Sequence, residues 1–478
     1  MKIIEGDLVE ENLLVMKFGG TSIGTPAAMA QAVRICLDAR RKWSRLVVVT
    51  SALSGVTDHL IASAEQAARG DLSTFNLTLS ELNERHHALI AELIHNPDLQ
   101  QLARRDVDCL VADFSNLCQA IHVLGEASPR ALDAVAAIGE RLSVRVLAGA
   151  IASAGLPTEY VEATRLVVTD AHFQNAVPDM AATERASREI LEPYLASGRV
   201  PVVTGFIGAT PDGLTTTLGR GGSDYSASIL AVALGAKEIW IWTDVDGVMT
   251  ADPRLVPEAR TIPVLSYREV AEMAYFGAKV LHPKSIQPAI QHGIGLRVCN
   301  TFNPANPGTR LVSERETNGH GTIKAVAAIR GLQLVTLSGT GMLGVPGVAG
   351  RIFSAAATTG ISVPLIIEST SEQAICFPVP KERSAEVIRA LRAHLADVFQ
   401  RGDIERADTS AEVDIITVIC PALRSTAGVA GRIFGALGEA GINVLGISFG
   451  ASDVSINLIV GAQDTQHALE RLHRLTEG

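Results

Sequence analysis

A strand-like run near the start of the sequence has a lysine next to its end, and two glycines follow the run. Leu13–Phe18 is apolar except for Lys17, and Gly19 and Gly20 lead into Thr21. Glycines let a backbone approach a phosphate closely, and the free N–H groups where a helix begins attract anions. The Lys17 ammonium is therefore a candidate to bridge the β- and γ-phosphates of a nucleotide. The order differs from a Walker loop, whose lysine follows the second glycine, and an ordinary strand–turn–helix corner would share the pattern.

An arginine set between glycines precedes a second predicted helix at Gly219–Ser226. Ser223 or Asp224 is expected to cap that helix, because serine and aspartate are favoured at N-caps. The glycines leave Arg220 free to move, and a guanidinium binds a carboxylate through parallel hydrogen bonds. A substrate with a carboxylate and an amine would bind Arg220 through the first group and Asp224 through the second. A plain helix cap is the alternative.

Two further polar segments are candidates for nucleotide contacts. Trp242–Met249 carries two aspartates directly after a strand-like run, and Asp252–Arg254 comes next. Open α/β sheets bind nucleotides at the carboxyl ends of their strands, although aspartates in loops also form Asx turns. Phe276–Pro283 contains Lys279, which would indicate little by itself.

The composition of the 478 residues is that of a globular α/β protein. Hydrophobic residues make up 47% and charged residues 19%, which argues against wholesale disorder. The formal net charge of −10 disfavours nucleic acid as a partner, since duplex-binding proteins present basic surfaces. Six scattered cysteines form no CxxC pair, so we expect no disulfide scaffold or zinc site, and a reducing compartment is favoured.

The N-terminal segment predicts no export. MKIIEGDLVEEN carries acids where a signal peptide needs an apolar core. No apolar run approaches the ~20 residues that cross a bilayer. We therefore expect a cytoplasmic protein with no membrane partner.

Strand-like and helix-like stretches alternate through the first part of the chain, which predicts a largely parallel sheet with helices on both faces. The strand-like runs are Leu13–Phe18, Leu46–Thr50, Val200–Thr204 and Glu238–Thr243. Residues 58–135 are rich in Ala, Leu, Glu and Arg and predict a helical insertion. His86 and His87 fall there; we expect both to be solvated and, as neighbours on a helix, to point apart rather than share a metal ion.

The last third of the chain contains an internal repeat. The segment GVAGRIF occurs at Gly347–Phe353 and again 81 residues later at Gly428–Phe434. The same offset relates two strand-like runs, Leu332–Leu337 and Val413–Val418. Each copy has the βαββ order of a ferredoxin-like unit. Turn formers at residues 303–308 mark a boundary before the repeat.

Taken in order, KFGGTS, GRGGSDY, WTDVDG and FGAKVLHP resemble the motifs of the aspartate kinase branch of the amino acid kinase family, and the repeat resembles a pair of ACT domains. The resemblance covers essentially the whole chain. It implies an α/β amino acid kinase fold, with an open and mainly parallel sheet between helical layers, followed by two ferredoxin-like βαββαβ ACT domains. The implied domains are a catalytic domain at 13–312, with its helical insertion at 58–135, and ACT domains at 323–402 and 403–478.

The activity that this resemblance implies is transfer of the γ-phosphoryl group of ATP to the side-chain carboxylate of L-aspartate, the first step of lysine, threonine and methionine biosynthesis. An aspartate side chain is already ionised at pH 7, so no general base is needed. The difficulty is the repulsion between two anions, which Lys17, glycine N–H groups and Mg²⁺ would reduce. The Mg²⁺ would be carried by ATP, with no direct protein ligand.

The resemblance also implies roles for individual positions. Catalytic residues would be Lys17, Asp224 and Lys279. Substrate contacts would come from Ser51, Thr57, Glu140, Phe206, Arg220, Ser223 and Asp224, with Glu140 on the amine and Arg220 on the α-carboxylate. Nucleotide contacts would come from Lys17, Gly19, Gly20, Thr21, Thr243, Asp244, Arg254 and Lys279. Met249 departs from the pattern, because several relatives carry tyrosine there.

The ACT repeat implies feedback regulation by an amino acid. The positions that match effector loops are Met342, Gly347, Ser362, Ser371 and Glu372, and the GMLGVPG and STSE stretches favour threonine over lysine. Pro364 stands where relatives usually carry an acid, which removes a partner for an effector's ammonium. The alternative is that the pair only joins subunits into a homodimer or a larger assembly.

Other functions on this scaffold are less well supported. A different amino acid or carbamate kinase would have the same phosphate loops, but Arg220, Glu140 and the ACT pair favour aspartate. A catalytically silent amino-acid sensor is disfavoured by the intact charged residues of the motifs. A fused homoserine dehydrogenase is not expected, because the sequence ends at Gly478 soon after the repeat.

Overall fold

The computed structural model describes residues 12–275, 281–313, 323–342, 345–368, 373–450 and 453–477. These residues form two compact units. The first unit contains residues 12–248, 263–267 and 281–313. The second contains residues 249–262, 268–275 and the described residues from 323 onward.

The first unit is built on an eight-stranded sheet in the order β3-β4-β2-β1-β7-β9-β10-β8. Its strands are β1 (Leu13–Phe18), β2 (Arg45–Thr50), β3 (Thr158–Val161), β4 (Val200–Thr204), β7 (Glu238–Thr243), β8 (Val264–Ser266), β9 (Gly295–Asn300) and β10 (Thr309–Val312). All neighbouring strands pair in parallel except β9 and β10. A small hairpin joins β5 (Ile207–Ala209) to β6 (Thr215–Thr217). Aliphatic runs suit such central strands, which are buried on both faces.

Helices cover both faces of this sheet. They are α1 (Gly20–Ile23), α2 (Pro26–Lys42), α6 (Pro129–Ser153), α7 (Met180–Ala196), α8 (Gly222–Leu234) and α10 (Pro283–Gln291). Leu14, Met16 and Phe18 of β1 pack with residues of α2 and α6. Because side chains alternate along a strand, Lys17 points to the opposite face, where α8 packs against β1.

Consecutive helices fill the region between β2 and α6. They are α3 (Val56–Ala68), α4 (Ser73–Leu93) and α5 (Pro97–Leu124). Among the described helices, α5 is long and apolar enough to cross a membrane by length and composition. Its inward face, which includes Val107 and Phe114, lies in the same apolar core as residues of α4 and α6, as expected for a core helix.

The expectation that both helix histidines are solvated is wrong for His86. Its side chain is fully buried, and its Nδ1 lies 2.7 Å from the Leu82 carbonyl oxygen. Leu82, His86 and Leu89 share one helical face, and that face packs into the core. His87 points away from it and contacts Asp108 at 2.8 Å.

The second unit contains a six-stranded antiparallel sheet in the order β12-β13-β11-β14-β16-β15. Its strands are β11 (Ala325–Ser338), β12 (Ile367–Glu368), β13 (Ala374–Pro380), β14 (Arg406–Ile419), β15 (Val444–Phe449) and β16 (Ser455–Gly461). Its helices are α9 (Tyr267–Tyr275), α11 (Val348–Ala357), α12 (Ser384–His394), α13 (Ala396–Gln400), α14 (Val429–Glu439) and α15 (Thr465–His473). The offset of 81 residues holds for both ends of β11 and β14, and of β13 and β16.

The two long strands are shared between the repeats. The second half of β11 pairs with β13, and the second half of β14 pairs with β16. Residues 325–329 then pair with 415–419 of the second repeat, while residues 406–413 pair with 332–338 of the first. The fourth strand of each repeat's sheet therefore comes from the other repeat. Residues 406–413 supply it for the first repeat and residues 325–329 for the second, so the strands cross the predicted boundary at 402/403. The predicted architecture, an open and mainly parallel sheet followed by two repeats with antiparallel strands, is confirmed.

Candidate active site

A cleft of about 540 Å³ opens in the first unit at the carboxyl ends of β1, β2, β4 and β7. This is where an open α/β sheet binds its ligands. Thirteen of the positions implied by the sequence line it: Lys17, Gly19, Gly20, Thr21, Ser51, Thr57, Glu140, Phe206, Arg220, Ser223, Asp224, Thr243 and Asp244. Residues from three of the sequence motifs, KFGGTS, GRGGSDY and WTDVDG, therefore face one space.

An ion pair joins the first two motifs inside the cleft. The Lys17 Nζ lies 2.7 Å from the Asp224 Oδ1, and the two side chains are only 11% and 13% exposed. Lys17 is the next-to-last residue of β1, and Asp224 lies in the first turn of α8. The prediction that Ser223 or Asp224 caps this helix is wrong. The helix begins at Gly222, and its N-cap is Gly221, whose φ of +67° favours glycine. Asp224 is therefore free of a capping role and binds the lysine.

The glycine turn after β1 is tightly packed. A Cβ on Gly20 would lie 2.7 Å from the Ala52 carbonyl oxygen, so no side chain fits there. The Gly19 N–H donates to the Trp242 carbonyl at 3.0 Å, and the Ser22 hydroxyl donates to the same oxygen at 3.2 Å. The Gly19 N–H is thus already paired in this structure, and its contact with a phosphate stays a prediction.

A second turn, which follows β2, closes the floor of the cleft. The Ser51 N–H donates to the Phe18 carbonyl at 3.2 Å, and the Ser54 N–H donates to the Gly20 carbonyl at 3.2 Å. The Ser143 hydroxyl of α6 donates to the Ser51 carbonyl at 2.6 Å. These bonds fix the two turns against each other and leave the Ser51 and Thr57 side chains at the cleft.

Glu140 brings a buried carboxylate to the cleft. Its side chain is 3% exposed, and its Oε1 accepts a hydrogen bond from the Ala52 N–H at 3.2 Å. Its Oε2 is buried and has no hydrogen-bond partner among the described residues. Burial raises the pKa of Glu140 to about 8, while the Ala52 N–H and the Lys17 charge act in the opposite direction. A buried carboxylate with a spare oxygen favours a cationic ligand, because a cation would offset its desolvation.

Phe206 and Arg220 lie on constrained backbone at the other wall. Phe206 adopts a φ of +64°, and a Cβ on Gly222 would lie 2.5 Å from its ring. Arg220 is exposed and lies between Gly219 and Gly221, which both have positive φ. The Ser285 hydroxyl donates to the Gly221 carbonyl at 2.9 Å and so ties this turn to α10. The backbone is thus held in place while the Arg220 side chain stays open to a ligand.

Thr243 and Asp244 follow β7 at the cleft, where the Thr243 hydroxyl donates to Asp244 at 3.1 Å. Arg254 lies in the second unit, and its guanidinium binds Asp252 at 2.6 Å. Lys279 lies outside the described residues. The described residues contain no cluster of three His, Cys, Asp or Glu that could hold a metal ion.

The implied effector positions are only partly described. Met342 is buried in the apolar core of the first repeat, among residues such as Ile352. Gly347 is the N-cap of α11, with a φ of +90°, and Ser362 is exposed after that helix. Ser371 and Glu372 lie outside the described residues.

Sequence reasoning missed one buried acid beside the cleft. Asp133 is 1% exposed and accepts hydrogen bonds from Gln174 and Thr217. It lies on α6, seven residues before Glu140. Residues seven apart lie on the same face of a helix. An acid seven residues before Glu140 was therefore the signal in the sequence that could have pointed to Asp133.

Known families match the chain over both units. The amino acid kinase family matches residues 12–300, and the ACT domain matches residues 335–395 and 416–475. The chain is 36% identical over 471 residues to the bifunctional aspartokinase/homoserine dehydrogenase 1 of Zea mays, covering 96% of the chain and 50% of that protein. It is 31% identical to aspartokinase 1 of Arabidopsis thaliana, covering 79% of that protein. It thus spans about half the length of the bifunctional relatives.

A solved structure of Escherichia coli aspartokinase III, in complex with aspartate and ADP, has the same fold. The TM-score is 0.80 at 30% identity, and the match covers 98% of this chain and 100% of that one. A second structure of that enzyme, with lysine and aspartate, gives a TM-score of 0.77 at 31% identity. The chain belongs to the amino acid kinase family, in its aspartokinase branch with ACT domains.

Proposed function

We propose that this protein is an aspartate kinase, which transfers the γ-phosphoryl group of ATP to the β-carboxylate of L-aspartate and forms 4-phospho-L-aspartate. One observation carries the proposal. A single cleft contains a lysine held by an aspartate, an open arginine and a buried carboxylate with a spare oxygen. These are the groups that a phosphate donor and an amino-acid acceptor require. The related E. coli enzyme, solved with aspartate and ADP, supports the same assignment.

The acceptor would be bound through its backbone groups. Arg220 suits the α-carboxylate, because a guanidinium forks onto two oxygens. Glu140 suits the ammonium, because its Oε2 is buried and unpartnered among the described residues. Asp224 is a poorer partner for that ammonium, since Lys17 already binds it. Phe206 would pack on the acceptor, and Ser51, Thr57 and Ser223 would complete the pocket.

The chemical step needs no proton transfer to the protein. One oxygen of the acceptor carboxylate bonds to the γ-phosphorus, the bond from that phosphorus to the bridging oxygen breaks, and ADP leaves with the electron pair. Lys17 would offset the charge that builds up on the transferred group. Asp224 holds the Lys17 ammonium in place before ATP arrives.

Nucleotide binding would use the edge of the cleft formed by Thr21, Thr243 and Asp244. Mg²⁺ would enter with the phosphates, since it is commonly held by one or two carboxylates plus substrate oxygens. No direct protein ligand is proposed, because Asp224 at the cleft is already paired with Lys17, and the ion would be carried by the ATP phosphates. When bound, the ion would neutralise phosphate charge. Arg254 and Lys279 stay predictions.

Regulation would act through the repeats. The ACT domain match supports an amino-acid effector, with threonine or lysine as the candidates, and assembly of a homodimer or a larger oligomer. The related E. coli enzyme has been solved with lysine. A cytoplasmic location and a role at the start of lysine, threonine and methionine biosynthesis complete the proposal.

The test is an acyl-phosphate assay on the full chain. Hydroxylamine converts an acyl phosphate to a hydroxamate, which is measured with ATP, Mg²⁺ and L-aspartate, L-glutamate or no acceptor. We expect hydroxamate with aspartate only, and inhibition by threonine or lysine would identify the effector. Equal product with glutamate, or none with aspartate, would overturn the proposed activity.

A further inference from the structure

Asp133 joins two segments of chain that are far apart in sequence. Its Oδ2 accepts hydrogen bonds from the Gln174 N–H at 2.9 Å and the Thr217 N–H at 3.0 Å. Its Oδ1 accepts one from the Thr217 hydroxyl at 2.8 Å and shares the Gln174 N–H at 3.1 Å. Both oxygens are used as acceptors, which an ionised carboxylate allows and an amide does not.

The two segments flank the turn that carries Arg220. Thr217 lies three residues before Arg220, and its carbonyl accepts the Ala176 N–H at 2.9 Å. A Cβ on Gly219 would lie 3.2 Å from the Gln174 carbonyl and 2.9 Å from the Asn175 Oδ1. The backbone of the arginine turn therefore rests directly on the 174–175 segment that Asp133 holds.

The 174–175 segment has a strained backbone, which the hydrogen bonds to it stabilise. Gln174 has a φ of +70°, a left-handed conformation that is unfavourable for a residue with a Cβ. The hydrogen bonds from its N–H to Asp133 stabilise this conformation. The next residue, Asn175, is held by a second contact, because the Lys284 Nζ donates to its Oδ1 at 2.8 Å.

We propose that Asp133 is a positioning residue for acceptor binding, which acts through the Gln174 and Thr217 segments to hold the Arg220 turn at the cleft. The inference rests on the proposed function, because it gives Arg220 the acceptor's α-carboxylate as ligand. Asp133 itself does not line the cleft. Its loss should therefore weaken acceptor binding more than the chemical step.

The experiment measures kcat and both KM values for Asp133→Asn without effector. We expect the KM for aspartate to rise about tenfold, with kcat and the KM for ATP within about threefold of wild type. Thr217→Val should raise the KM for aspartate less, because it removes only one hydrogen bond. Thr217→Ser, which keeps the hydroxyl, should have the wild-type KM. In an Arg220→Ala background, Asp133→Asn should add little, since residues that act through one another are not additive.

The matched control is Asp414→Asn. Asp414 is also 1% exposed, and it binds the Gly331 N–H at 2.9 Å and the Thr465 hydroxyl at 2.7 Å in the second unit. We expect it to lower the melting temperature as Asp133→Asn does, but to leave the KM for aspartate unchanged. If the KM for aspartate rises in both Asp133→Asn and Asp414→Asn, the role of Asp133 is only structural.

The inference is overturned if wild type turns over aspartate and the KM is unchanged in Asp133→Asn or in Thr217→Val. Full additivity with Arg220→Ala would also overturn it. Should Asp133→Asn fail to fold, the Thr217 pair decides the outcome. Wild-type protein with no activity on aspartate overturns the proposed function and, with it, this inference.

Discussion

The Lys17 ammonium and the Asp224 carboxylate lie 2.7 Å apart, although Lys17 is in the first strand and Asp224 is in the first turn of helix α8. The contact exists because β1 alternates its side chains, so that Lys17 leaves the face that carries Met16 and Phe18. It places a cation, already partnered and mostly buried, where a phosphoryl group would meet its acceptor.

Replacing Lys17 with alanine should reduce kcat on the order of 10²–10³-fold, as for the loss of one preorganised charge-stabilising donor. The KM for aspartate should change much less, because Arg220 and Glu140 remain. Steady-state kinetics with saturating ATP measure both constants. Lys42→Ala is the control, since Lys42 is exposed at the end of α2 and does not line the cleft. A near-normal kcat in Lys17→Ala would contradict the assignment.

Replacing Arg220 with alanine should act on binding instead. Loss of a charge-assisted hydrogen bond of about 1.5–3 kcal/mol raises the KM for aspartate by roughly 10–100-fold. Arg220→Lys should recover only part of that loss, because an ammonium cannot fork onto two oxygens. Arg199→Ala, which breaks an exposed pair with Glu159, is the control and should leave the KM unchanged. An Arg220→Ala enzyme with wild-type KM would show that the acceptor lies elsewhere.

The acidity of Glu140 predicts how acceptor binding depends on pH. Its pKa is raised to about 8 by burial, so much of it is protonated at pH 7 in the free protein. Only the ionised form attracts an ammonium, so kcat/KM for aspartate should rise from pH 7 and level off above about pH 8. Glu140→Gln should lower kcat/KM and remove this rise. A flat wild-type profile across that interval would mean that Glu140 does not bind the amine.

His86 predicts an acid-sensitive fold. Burial lowers its pKa from 6.5 to about 4, so the unfolded chain binds a proton more readily than the folded one between those values. The free energy of unfolding should therefore fall as pH drops from about 6.5 to 4, by up to about 3 kcal/mol from this group. Urea unfolding at several pH values measures the slope. His86→Gln should flatten it, whereas His87→Gln should not; an unchanged slope in His86→Gln would contradict the burial.

The grouping of the site was predictable from sequence because it follows from one rule of sheet geometry. Lys17, Ser51, Phe206 and Thr243 each stand at or just after the carboxyl end of a parallel strand, and such ends meet at one edge. The repeat was also predictable from the sequence, because the offset of 81 residues between its two copies is the same as the offset between the bounds of the corresponding strands.

Other features depend on partners that a linear pattern does not contain. The Gly19 N–H is used by the Trp242 carbonyl, and a residue pattern does not show which backbone carbonyl accepts a given N–H. The strand exchange between the repeats follows from pairing over the full 14 residues of β11 and β14, whereas the sequence pattern showed only part of each. Asp133 was missed because its importance lies in two distant backbone N–H groups.

The most direct test follows the γ-phosphoryl group itself. ATP labelled in that group is mixed with the full chain, Mg²⁺ and L-aspartate, and label that hydroxylamine discharges from the product is counted for wild type, Lys17→Ala and Arg220→Ala. We expect hydroxylamine-labile label on aspartate with wild type, a far slower rate with Lys17→Ala, and recovery at high aspartate with Arg220→Ala. Label released only as inorganic phosphate, or transferred equally well by Lys17→Ala, would contradict a cleft in which Lys17 and Arg220 bring two anions together.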